Sequence, residues 1–349
     1  MLPQSPPMPL SYEGKTRRVG VEIEFAGLPP SETTKLVHTL FGGDISVVSP
    51  HRLKVEGTLW GSFVIELDTQ YAHPDAKLLE EVPRKESEWE RQRHQMRVDF
   101  HNRTRQLIGD VVTGLVPTEV VCPPVPWDEL GELDALFKAL HSHGAKGTDA
   151  SLLYGFGLHL NPEVASLDVS YILRQLRAYL LLAEWLRQEI DIDITREVLP
   201  HANPFPRPYA LKVLDPAYAP DLDGLIADYI AFNPTRNREL DLYPLFAFLR
   251  PDYPHELFQD KLVKARPTFH YRLPNAQLSQ LGWGAVVEWN RWVEVERLAA
   301  DNAALTKRAG AYVTYHTQPR LTRWIGKLRD WIREARTPHD PPPHRHHDL

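Results

Sequence analysis

The chain has 349 residues, with 40 Lys+Arg against 46 Asp+Glu, a formal net charge of -6, and ordinary shares of hydrophobic (42%) and charged (25%) side chains. That composition excludes global disorder and gives no bulk positive field for nucleic acid or an anionic membrane surface. With Cys122 as the one cysteine, it also excludes an internal disulfide and a Cys-rich zinc site.

No apolar run approaches the ~20 residues of a membrane helix. The N-terminal stretch MLPQSPPMPLSYEGKTRR lacks the apolar core of a signal peptide, so a cytoplasmic protein is expected. The 31 prolines predict many loops and sharp element ends. Residues 1–16 are Pro-rich and polar and read as an unstructured arm. Residues 337–349 read as a disordered His/Pro tail, leaving 17–336 as one domain with a helical second half.

From the N-terminus, 16–26 reads as a strand, with Val19, Val21, Ile23 and Phe25 on one face and Gly20, Glu22 and Glu24 on the other. Residues 61–68 repeat the pattern, with Phe63, Ile65 and Leu67 opposite Val64, Glu66 and Asp68. Trp89, Met96, Phe100, Leu107 and Val111 recur at helical spacing. A third strand at 115–121 carries Glu119, and a helix at 128–142 stops near Gly144. A fourth strand at 155–161 sets Gly157, His159 and Asn161 opposite Phe156, Leu158 and Leu160. A long helix follows at 167–190. Six prolines make 200–220 irregular, and short helices are expected at 222–232 and 243–249. One more strand, 268–273, carries His270 and Arg272, and helices at 284–307 and 319–336 close the chain.

Each strand thus has an apolar face for helices and a second face carrying ionisable groups. Same-face neighbours in a strand lie about 6.6 Å apart. If the strands share one sheet, Glu22, Glu24, Glu66, Asp68, Glu119, His159 and His270 meet on one surface. Carboxylates gathered that closely raise each other's pKa unless cations intervene. Mg²⁺ and Mn²⁺ supply that charge through carboxylate oxygens, and Mn²⁺ also tolerates imidazole. A wet sheet face of merely solvated acids is the other reading of the same pattern. Arg236 and Arg238, just before a helix, suit bidentate phosphate or carboxylate binding. Lys212 reaches a phosphate if the Pro-rich segment is a lid.

The string RRVGVEIEF at 17–25 resembles the first strand of the amidoligase family, part of the carboxylate–amine ligase superfamily with glutamine synthetase and glutamate–cysteine ligase. GSFVIELD at 61–68, TEVVCPPVP at 118–126 and GFGLHLNP at 155–162 look like the successive acidic, Glu-x-x-Ser-Pro-like and Gly-x-His strands of those enzymes. KARPTFHYRLPN at 264–275 is similar to a late strand of glutamine synthetase. The resemblance implies an α+β fold: a curved, mainly antiparallel sheet of about six strands with helices on one face. It implies an ATP-dependent ligase joining a small-molecule or peptide carboxylate to an amine through an acyl phosphate, with two or more Mg²⁺ or Mn²⁺ ions. Glu22 and Glu24 would bind different ions, completed by Glu66, Glu119, Asp68, His159 and His270. Arg272 would contact the γ-phosphate or the tetrahedral intermediate, and Arg266 would hold the nucleotide.

Three positions depart from the family pattern. His270 stands for a glutamate, Cys122 for a serine, and Asn161 for a second histidine. A metal-dependent hydrolase and a noncatalytic binding protein of the same fold are the rival classes.

Overall fold

A computed structural model describes residues 1–67, 116–150, 156–191, 202–259 and 263–317. Asp68, the helix expected around 89–111, the helix at 319–336 and the tail at 337–349 lie outside the described residues.

The alternation in β1 (Arg18–Phe25) makes a two-faced strand. Val19, Val21, Ile23 and Phe25 are fully buried, whereas Gly20, Glu22 and Glu24 are half-buried. After it come α1 (Pro30–Phe41), β2 (Asp44–Ser49), β3 (Arg52–Thr58), β4 (Gly61–Leu67), β5 (Thr118–Val121), β6 (Val125–Pro126) and α2 (Leu130–Ser142). The chain continues through β7 (Leu158–Pro162), α3 (Val169–Ile190), α4 (Arg207–Leu214), α5 (Leu222–Phe232), β8 (Leu240–Asp241), α6 (Tyr243–Leu249) and α7 (Glu256–Gln259). Last come β9 (His270–Tyr271), α8 (Ala285–Ala300) and α9 (Asn302–Thr317).

The fold is α+β, with one open antiparallel sheet in the order β2-β3-β4-β5-β1-β7-β9-β8 and β6 paired to the start of β1. The sheet therefore has nine strands among the described residues, where about six were expected. The apolar face of the strands packs with Val37 of α1, Leu133, Leu136 and Phe137 of α2, Ile172, Leu176 and Tyr179 of α3, and Trp289, Trp292 and Val293 of α8 in one cluster. Each such side chain contributes about 1.5–3 kcal/mol by leaving water. That burial fixes which face of every strand points away from the core.

Several expectations need correction. β2, β3 and α1 were not anticipated. β2 leaves Val47 and Val48 largely exposed, so its hydrophobic pattern is weak, and α1 is short and carries four β-branched residues, Thr33, Thr34, Val37 and Thr39, within its twelve. Within 200–220 the chain forms α4, because Pro208 falls in its first turn, where a missing N–H costs nothing. The strand expected over 268–273 pairs regularly only at His270–Tyr271, since its neighbour β8 is two residues long. The helix expected over 284–307 breaks at Asp301, whose Oδ1 accepts from Ala304 N at 3.0 Å and starts α9. The arm at 1–16 is held on α8 rather than unstructured. Gln4 N donates to Asn290 Oδ1 at 2.7 Å, Trp289 Nε1 donates to Gln4 O at 3.0 Å, and Asn290 Nδ2 donates to Leu2 O at 3.1 Å.

Candidate active site

Residues directly opposite in an antiparallel pair point to the same face. The register therefore lines up Arg52, Glu66, Glu119 and Glu24 in one row across β3, β4, β5 and β1. Glu22 sits opposite His159 across β1 and β7, and Asp241 opposite His270 across β8 and β9. All of these lie on the face away from the hydrophobic core along β1, β4 and β5, where the acids are half-buried and their strand neighbours Ile23, Ile65 and Val120 are fully buried.

Side chains of β1 and β7 interlock. His159 Nδ1 lies 3.2 Å from Glu22 Oε2, and its Nε2 lies 4.0 Å from Glu24 Oε1. Gly157 N donates to Glu24 Oε2 at 3.0 Å. Asn161 Nδ2 donates to Glu22 Oε1 at 2.9 Å, and Arg266 Nη2 donates to Asn161 Oδ1 at 2.7 Å and lies 3.6 Å from Glu22 Oε1. The His159 and His270 rings stand edge to face, 5.3 Å between centroids. The space beside Gly20, where a side chain would stand, is filled by Asn161, since a Cβ would lie 3.2 Å from Asn161 Cβ.

Two sets of donors converge: Glu22, His159 and His270, and Glu24, Glu119 and His159, with the ligand atoms of each set within 4.8 Å of one another. The set with two carboxylates suits Mg²⁺ or Mn²⁺. The set with two imidazoles suits Mn²⁺ better, because Mg²⁺ prefers oxygen throughout. The residues therefore fit divalent cations. Glu66 is next in register to Glu119 but also pairs with Arg52 at 3.2 Å.

Burial alone would raise the Glu22 carboxyl. The hydrogen bond from His159 and the nearby His270, His159 and Arg266 charges outweigh it and hold Glu22 well below the usual carboxylate range. Burial pushes His270 well below the usual imidazole range, against the pull of Glu22 and with the help of Arg272 and Arg266. Burial thus favours the neutral His270 that a ligand must be, against the ionised Glu22. Burial also raises the Cys122 thiol, with Glu22 adding to it, so this thiol is not poised as a nucleophile.

The arginines separate by partner. Arg266 joins the cluster directly. Arg272 Nη1 donates to the Arg236 carbonyl at 2.8 Å, and Arg236 Nε lies 3.6 Å from the fully buried Asp241. Burial raises the Asp241 carboxyl, and Arg236, Arg272 and Arg266 pull it back down. Arg236, Arg266 and Arg272 therefore form a cationic border around Asp241, beside His270. Arg238 instead donates Nη1 to Pro204 O at 2.6 Å, tying two loops together. Lys212 is on α4, where Nζ pairs with Asp228 at 2.6 Å and lies over the Tyr218 and Phe232 rings. Asn161, which alternates onto the same face as His159 and was read only as a departure from the family pattern, is a working part of the cluster. Two hollows, of about 210 and 450 Å³, are lined by no residue of this face. The chemistry of the acidic face is therefore the guide to the site.

Residues 15–294, which span every strand of the sheet and most of α8, match the family model described as "Putative amidoligase enzyme". The chain belongs to the amidoligase family. No curated protein and no solved structure shows a significant match to it. Membership supports a ligase-type enzyme. The strands that carry the amidoligase resemblance, β1, β4, β5 and β7, are adjacent in the sheet in the order β4-β5-β1-β7. Among the described residues no helix is long and apolar enough to cross a membrane.

Proposed function

We propose that this amidoligase is an ATP-dependent carboxylate–amine ligase working on the polar sheet face. The observation that carries the proposal is the juxtaposition there of two cation-fitting donor sets with the Arg236–Arg266–Arg272 border. Divalent ions, when bound, would neutralise the phosphates of ATP. Glu24, Glu119 and His159 are the residues for one ion, and Glu22 and His270 for another, with Glu66 and Asp68 as further carboxylates.

The chain's own work is positional and electrostatic. The arginine border would draw in and orient an anionic reactant, a carboxylate or a phosphoryl group, beside the ion sites. The substrate carboxylate would take the terminal phosphoryl group with loss of ADP. An amine would then displace phosphate from the acyl phosphate, forming the amide and releasing a proton. No protein nucleophile is required, in keeping with the buried, raised Cys122 thiol. A requirement for ATP would fit a cytoplasmic reaction.

The test is phosphate release from ATP in the presence of Mg²⁺ or Mn²⁺, across panels of carboxylates and amines. Release that needs both an acid and an amine, with an amide product by mass spectrometry, is expected. Turnover without ATP would replace the ligase with a hydrolase, and nucleotide binding without any turnover would make the chain a binding protein.

A further inference from the structure

Glu22 presents two oxygens to two different partners. Oε2 faces His159 Nδ1 at 3.2 Å, and Oε1 faces Asn161 Nδ2 at 2.9 Å. An ionised carboxylate only accepts hydrogen bonds. His159 therefore bonds Glu22 only if its hydrogen is on Nδ1, and Asn161 must turn its amide nitrogen toward Glu22. That orientation points Asn161 Oδ1 at both Arg266 Nη2 and His270 Nδ1, each 2.7 Å away. The opposite orientation would set amide oxygen against carboxylate and amide nitrogen against guanidinium. Since Oδ1 only accepts, His270 Nδ1 must carry a hydrogen as well. The 3.1 Å approach of Arg266 Nη2 to His270 Nδ1 is then two donors sharing one acceptor.

A neutral imidazole has one N–H and one lone pair, and the bond made by one nitrogen decides the role of the other. The geometry points to a relay in which Glu22, directly and through Asn161, fixes both imidazoles with hydrogen on Nδ1. His159 then presents Nε2, the nitrogen that faces Glu24, to the Glu24–Glu119 set, and His270 also has Nε2 as its only ligand atom. The two donor sets do not compete for His159, and Asn161 is the positioning residue for His270. Gly20 belongs to the same device, because a Cβ there would press on Asn161 Cβ at 3.2 Å and Nδ2 at 3.4 Å. The relay rests on the ligase reading only for the use to which the lone pairs are put.

The experiment is a long-range ¹H–¹⁵N correlation spectrum of the full chain, labelled with ¹⁵N-histidine, in EDTA at about pH 8, where unperturbed imidazoles are neutral. Differences against His159→Gln and His270→Gln assign the two rings among the 16 histidines. Both rings are expected in the Nδ1–H form. In Asn161→Ala, His270 should move to the Nε2–H form or a mixture, while His159 keeps its pattern and so reports an intact sheet. Nε2–H at either ring in the wild type overturns the relay without need of a variant. An unchanged His270 pattern in Asn161→Ala overturns the role of Asn161. Nδ1–H at both rings in a protein that fails to ligate would remove the ligase reading and leave the relay standing.

Discussion

Arg17 opens the β1 motif and is 0% exposed, with its partner Glu296 on α8 at 2%. Its guanidinium donates Nη1 and Nη2 to the two Glu296 oxygens at 2.7 and 2.6 Å, Nε to Glu163 O at 2.7 Å, and Nη1 to Met8 O at 2.9 Å. Burial works against the charge on Arg17, but Glu296 outweighs it and keeps the guanidinium ionised. In Arg17→Met, Glu296 keeps only the bond from Trp292 Nε1, at 2.7 Å, and becomes a buried charge without a cation. Breaking a buried pair from one side costs about 3–5 kcal/mol, a large part of the roughly 5–15 kcal/mol that holds a domain folded. Adding Glu296→Gln removes the stranded charge while leaving an acceptor for Trp292, so the double variant should recover about 2 kcal/mol or more of that loss. Urea unfolding of the wild type, both single variants and the double variant closes the cycle. If Arg17→Met lies within about 1 kcal/mol of wild type, or the two losses simply add, the pair does not anchor β1 to α8 in the way described.

Three further outcomes are expected. Mn²⁺ at about 100 times its Kd should stabilise the wild type by about 2.7 kcal/mol. His159→Ala, which takes the imidazole from the Glu24–Glu119 set and a hydrogen-bond partner from Glu22, should lose most of that response in a thermal melt, and an undiminished response would count against the sites. Replacing the imidazole in His270→Glu should shift preference from Mn²⁺ toward Mg²⁺ in paired calorimetric titrations, and an identical preference would remove His270 as a ligand. Metal-free stability should fall with acid: His270, lowered by burial, contributes stability that is present above about pH 6.5 and lost as pH drops from there through its native value, and lowered Glu22 adds a loss below about pH 4.5. Urea midpoints across that range should flatten near pH 6 in His270→Asn, so a wild-type curve already flat there would contradict the assignment.

Much of the site was legible in sequence because strands have a period of two. Val19, Val21, Ile23 and Phe25 demand burial, which sends Glu22 and Glu24 to the other face whatever the strand pairs with. The same logic placed Glu66, Glu119 and His159. It also places Asn161, but a neutral amide carries no chemical signal of its own, and its role exists only through Glu22, Arg266 and His270. Lys212 and Arg238 show where local pattern stops. Basic residues near prolines suggested anion binding, and their partners Asp228 and the Pro204 carbonyl come from elsewhere in the chain.

Alternation within each segment, with the glycines and prolines that end it, therefore determined the two-faced strands, the helices with a clear apolar stripe and the identity of the acidic face. Strand order, register and partner choice were decided only by tertiary structure. Residues 22 and 159, or 161, 266 and 270, meet because hydrophobic burial on the far side of the sheet brings β1, β7 and β9 together, and no local pattern encodes that meeting. The docking of the Pro-rich arm on α8 has the same cause: its partners, Trp289, Asn290 and the Arg17–Glu296 pair, come within reach only once the core has formed.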